Sequence, residues 1–156
     1  MSAGCGQMRV IIFTLLFLFA SNASAQELRE VLRCTGIIFG EGVVSYQENK
    51  DKQHLVESSK IAFGAYFGYL TDSSLSIQNE ANEEWSSEYL ANNTGRVINQ
   101  YYQNSFHSDE MVSEIIKCYQ MHSNLHLTHA SSISSNARTI KTIYMDAVKG
   151  VIKDLD

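Results

Sequence analysis

Three histidines are the residues in this sequence best suited to chemistry. His122, His126 and His129 stand at i, i+4 and i+7, so a helix carried through Ala130 stacks their rings on one face. Cys118 occupies the preceding turn of that stripe, and Met121 lies beside it. Imidazoles at this spacing chelate zinc or copper, and a thioether adds a soft ligand. Three features weigh against a metal. The run MHSNLHLTHASS is rich in Ser, Thr and Asn, which favour helix ends over helix interiors, and it holds no carboxylate to orient the rings. His122 also falls on the apolar seam Met111, Ile115, Cys118, His122, Leu125, where a buried and hydrogen-bonded histidine is ordinary. Metal binding through His122, His126 and His129 is therefore the alternative reading.

The cysteines point elsewhere. The chain opens with Arg9, the apolar run Val10 to Ala20 and a polar stretch ending in Ala23-Ser24-Ala25, the three parts of a secretory leader. Eleven apolar residues cover only about half of a ~30 Å hydrocarbon core, so a span is not expected. Cleavage after Ala25 removes Cys5 and leaves the pair Cys34 and Cys118. In an oxidising compartment such a pair forms a disulfide. Closing a loop of about 85 residues removes roughly 4.5 kcal/mol of unfolded-chain entropy. A Cys2His2 zinc site from Cys34, Cys118, His122 and His126 needs both thiols reduced, which export disfavours.

No catalytic constellation accompanies these residues. Glu80, Glu83, Glu84 and Glu88 gather around Trp85, but with no apolar pocket to separate their pKa values they read as a solvated face. Gly-rich phosphate loops, Gly-x-Ser-x-Gly elbows and His-Glu-x-x-His motifs are absent from the sequence. Neither a catalytic residue nor a cofactor is expected.

The elements that must position these groups are helical. The sequence has no proline and 9 glycines in 156 residues, with 44% apolar side chains, and a 3-and-4 periodicity recurs throughout. A first helix carries Leu28, Val31, Leu32, Thr35, Ile38, Phe39, Gly42, Val43 and Tyr46; the polar stretch Gln47 to Asp51 turns the chain. A second carries Leu55, Ser59, Ala62, Phe63, Tyr66, Phe67 and Leu70. A third runs from Trp85 to Tyr102, and Asn92-Asn93-Thr94-Gly95 across its middle predicts a kink or two shorter helices. Ser108 is the expected N-cap of a fourth, with Asp109 and Glu110 in its first turn. A fifth follows from Ile133 to Leu155 and is the most amphipathic.

The expected fold is all-α, a four- or five-helix antiparallel bundle over residues 26–156, one domain preceded by a cleavable leader at 1–25. Two glycine pairs, Gly36/Gly40 and Gly64/Gly68, open smooth strips. The offset of the pairs from the turn argues against mutual packing, so each is expected to meet a bulky aromatic from elsewhere or a self-association surface. Asn92-Asn93-Thr94 is a glycosylation sequon, meaningful in a eukaryotic secretory route.

Charge bounds the partners. The chain has 12 basic and 17 acidic residues for a net −5; Arg9 is the only charge in 1–25, so the mature chain carries −6. That balance excludes a general nucleic-acid binder. Tyrosines at Tyr66, Tyr69, Tyr89, Tyr101, Tyr102, Tyr119 and Tyr144 exceed what one core can absorb. The expected function is a periplasmic or secreted, non-enzymatic factor that binds a protein partner or a second copy of itself; a small apolar ligand held between helices is the third reading.

Overall fold

The computed structural model describes the backbone of residues 5–72 and 83–156 and the side chains of residues 26–72 and 86–156. The leader expected at 1–25, together with Glu80, Glu83, Glu84 and Trp85, lies outside the described side chains. The described residues form helices and no strand: α1 (Cys5–Asn49), α2 (Lys52–Asp72), α3 (Glu83–Tyr102), α4 (Asp109–Thr128), α5 (Ala130–Ser135) and α6 (Ala137–Leu155). Among them no helix is long and apolar enough to cross a membrane.

Helix α1 is the axis of the fold. Its expected seam is buried, and so are Cys34, Ile37 and Val44 on other faces. From Cys34 to Val44 every residue but Glu41 is buried, so this stretch is surrounded, and each fully buried Leu or Ile contributes about 1.5–3 kcal/mol. The turn to α2 forms where expected: Lys50 takes a left-handed φ of 54°, and the Asp51 carboxylate accepts from the His54 amide at 2.9 Å, capping α2.

Successive long helices alternate in direction. α2 returns against α1. α3 then ascends beside α1, with Gly36 against Leu90 and Asn93, Gly40 against Val97, and Gln47 Nε2 donating to the Tyr102 hydroxyl at 2.7 Å. α4 descends obliquely across α1 and α2, from His107 near Glu48 to His129 at Asp72. α6 climbs again, and the Tyr46 hydroxyl donates to Asp156 at 3.0 Å.

Two expectations change. α3 is one helix through Asn92 to Gly95, because tertiary contacts outweigh weak propensity there. Thr94 is buried against α1, and its hydroxyl lies within hydrogen-bond distance of the carbonyls of Gly36 (3.2 Å) and Leu90 (3.0 Å). The expected fifth helix divides into α5 and α6 at Asn136, whose amide side chain donates back to Ser132 O at 2.8 Å, a local bond that competes with the helix ladder.

Candidate functional site

Helix α4 starts as its sequence predicts. The Ser108 hydroxyl accepts from the Met111 amide at 3.3 Å, with Asp109 and Glu110 in the first turn. One turn on, the Glu114 carboxylate is held by Arg33 of α1 and by Arg96 of α3, the latter at 2.6 Å. Inside, Met111, Cys118 and His122 are buried, and the Cys34 and Cys118 sulfurs lie at disulfide distance, 2.09 Å. Cys34 and Cys118 are thus brought together as a pair between α1 and α4.

The three histidines of this segment take three separate partners. His122 is fully buried, and its Nε2 lies 3.0 Å from Thr35 Oγ1. The Thr35 hydroxyl already donates to Val31 O at 2.7 Å, so its oxygen accepts and the His122 proton sits on Nε2. Nδ1 is then a bare lone pair with no hydrogen-bond partner. Burial, with His126 as the smaller cause, pushes the His122 pKa down to about 3, so the ring is neutral. His126 Nε2 donates to Ile61 O at 3.1 Å. His129 is the non-helical cap after α4, so it leaves the stripe that a longer helix would have made; its Nδ1 donates to Asp72 Oδ2 at 2.7 Å. The Ser132 hydroxyl, then His129, hold the Asp72 carboxyl below its ordinary pKa. Among the described residues no three His, Cys, Asp or Glu side chains are grouped to hold a metal ion. The sulfurs of Cys34 and Cys118 face each other rather than His122 and His126 as a ligand set would require.

The glycine strips receive different occupants from those expected. A Cβ on Gly36 would stand 2.8 Å from both Asn93 Cβ and Leu90 O, and one on Gly40 would stand 3.0 Å from Val97 Cβ and 3.1 Å from Thr94 O. That strip meets the α3 backbone rather than an aromatic. Gly64 meets the His126 ring, 2.7 Å at Cε1, and Gly68 meets Ile133 and the His129 Cβ.

The outer face of α4 is where apolar surface remains uncovered. Val112, Ile116 and Leu127 are 42%, 50% and 79% exposed. A shallow depression between them is lined by Ile116, Tyr119, Gln120, Ser123 and Asn124. Tyr119 borders this face and is pinned from behind: its hydroxyl donates to Glu41 Oε2 at 2.8 Å, and Glu41 also accepts from His54 Nε2 at 2.7 Å. Burial and the Glu41 charge raise the Tyr119 pKa, so it stays a phenol. Sequence reasoning missed this Glu41–His54–Tyr119 cluster, since its members lie on three helices with no shared spacing. Nothing short of the tertiary contacts could have found it.

Between α1, α2, α3 and α6, Leu32, Phe63, Tyr66, Phe67, Leu70, Leu90 and Ile143 line an apolar groove of about 550 Å³, with the buried Ser86 and with Ser87 also in its walls. Tyr102 is also exposed, as the tyrosine surplus predicts. In the sequon, Asn92 faces solvent while Thr94 is buried. Compared with known proteins, the chain matches no protein-family model, no curated protein and no solved structure.

Proposed function

We propose that the chain is an exported, non-enzymatic binding protein that works by docking another protein on the outer face of α4. One observation carries this reading: Val112, Ile116 and Leu127 stand exposed on a single helix, flanked by a Tyr119 whose ring is held in place by Glu41. Exposed apolar side chains grouped with an ordered tyrosine are the composition of interface centres. The leader-like start and the paired Cys34 and Cys118 support a periplasmic or extracellular setting. Intact-mass measurement of the exported product checks that part, with Gln26 as the expected first residue.

The test of docking is site-specific photo-crosslinking in intact cells. A photoreactive residue at position 116 or 127 is expected to give discrete heavier adducts, while one at Lys141 or Gly150, on exposed parts of α6, gives none. Equal yields from both sets of positions would remove the proposal. A second reading rests on the groove of about 550 Å³, a size that suits a small ligand. An apolar molecule seated there would survive native mass spectrometry and be lost in Phe67→Arg.

A further inference from the structure

We propose that the groove between α1, α2, α3 and α6 binds an uncharged single-chain aliphatic alcohol whose hydroxyl head pairs with Ser86; this rests on the groove reading above and specifies its ligand. The groove holds about 550 Å³, within the ~300–1,000 Å³ of small-ligand sites. Along α2 its wall runs from Phe63 to Leu70, about 10 Å at a rise of ~1.5 Å per residue. Tyr66 and Phe67 meet edge to face there, with ring centroids 5.3 Å apart, and Ile143 of α6 adds to the apolar lining. Such walls suit an extended hydrocarbon chain and give water few partners.

One polar group in the lining has no partner. Ser86 is 6% exposed, and its hydroxyl makes no hydrogen bond. Burial raises the Tyr66 pKa, and the neighbouring Ser86 hydroxyl acts against that rise to a lesser extent, so the two hydroxyls lie near each other without a well-formed bond. A buried hydroxyl left unpaired costs free energy, and native structures hold few of them. Serine has one side-chain torsion, so this hydroxyl turns to meet a ligand head with little loss of rotamer freedom.

The lining also fixes the charge of the head. Among the described residues that line the groove none is charged, and the chain as a whole carries −5. A carboxylate or phosphate seated there would lose its hydration with no cation to pair it, and an ammonium would do so with no carboxylate. A hydroxyl head both donates and accepts, so it pairs with a serine hydroxyl in either sense and brings no charge to desolvate.

The test is displacement of N-phenylnaphthylamine, a neutral dye that brightens in apolar sites, from the purified protein at about pH 8, where carboxylates and alkylamines are ionised. Decanol is expected to displace the dye at a concentration at least about tenfold below that of decanoate or decylamine, which share its chain length. Ser86→Ala keeps the apolar walls and is expected to weaken decanol by about tenfold while dye binding stays unchanged. Phe67→Arg is expected to abolish dye binding with helix content retained. Decanoate or decylamine matching decanol, or a Ser86→Ala protein that holds decanol as tightly as the wild type, overturns the proposal and leaves the groove reading intact. A wild type that takes up no dye, decanol that leaves the dye in place, or dye that Phe67→Arg still binds removes both.

Discussion

Two contacts in this molecule use the same sequence device and solve it differently. Gly36 and Gly40 on α1 admit the backbone of α3, with Leu90 O and Thr94 O among the nearest atoms. Gly64 and Gly68 on α2 admit side chains from the region of α4 and α5: the His126 ring, the His129 Cβ and Ile133. The first contact is backbone against backbone, where nothing can rotate away. The second is lined by groups with rotamer freedom, and it contains protonatable rings. A pair of glycines four apart thus specifies room on a helix face, and the rigidity of the occupant decides what that room is worth.

The largest effect should follow from closing the rigid contact. Gly36→Ala places a methyl 2.8 Å from a carbonyl oxygen and from Asn93 Cβ, so α1 and α3 must separate. A loss of about 3 kcal/mol in urea unfolding is expected; a loss below about 0.5 kcal/mol would erase the distinction between the two contacts.

Acid should act first on α4, the helix that supplies His126 to the second contact and His122 to the core beside α1. His122 has a folded pKa of about 3, against an ordinary value of 6.5, so the unfolded chain binds the extra proton. Its neutral form contributes full stability above pH ~6.5, and that contribution falls by about 1.4 kcal/mol per pH unit as pH drops towards ~3. Between pH 7 and pH 5 the loss is about 2 kcal/mol. Replacing His122 with a residue that cannot titrate, as in His122→Leu, should flatten the profile. Amide exchange should show the α4 protection falling before that of α3. Asp72, whose pKa is lowered by Ser132 and His129, holds its part of the contact above its unfolded pKa and gives way only at more acidic pH.

A double-mutant cycle sharpens the comparison at about 1 kcal/mol. Gly64→Ala sets a methyl 2.7 Å from His126 Cε1, and the ring can yield only by straining its bond to Ile61 O. With His126→Ala already in place the same methyl finds space, so the two changes should couple by about 1 kcal/mol. Strict additivity would mean that the ring is not what fills the strip. The smallest effect carries the opposite sign. A Cβ on Gly95 meets nothing within 4 Å, so Gly95→Ala should raise stability by about 0.5–1 kcal/mol through helix propensity alone.

Much of the helical layout was legible in the residues. The Ser108 cap and the turn at Lys50 and Asp51 follow from local chemistry, which survives any packing arrangement. The interruption expected at Asn92 to Gly95 failed because Thr94 gains a buried contact with α1 that outweighs a weak propensity. The histidine row failed as a row at one residue: His129 ends α4 instead of continuing it, and Asp72, fifty-seven positions away, takes its proton donor.

By itself the sequence determined that the chain is helical and where most helices begin and turn, because periodicity and capping act over a few residues. Only the tertiary structure decided which surface fills each glycine strip, where the His122 proton resides, that Glu41, His54 and Tyr119 come together, and which face of α4 is left uncovered. Those outcomes depend on the crossing of helices far apart in the chain, and a side chain's partner there is chosen by proximity in space rather than by spacing along the backbone.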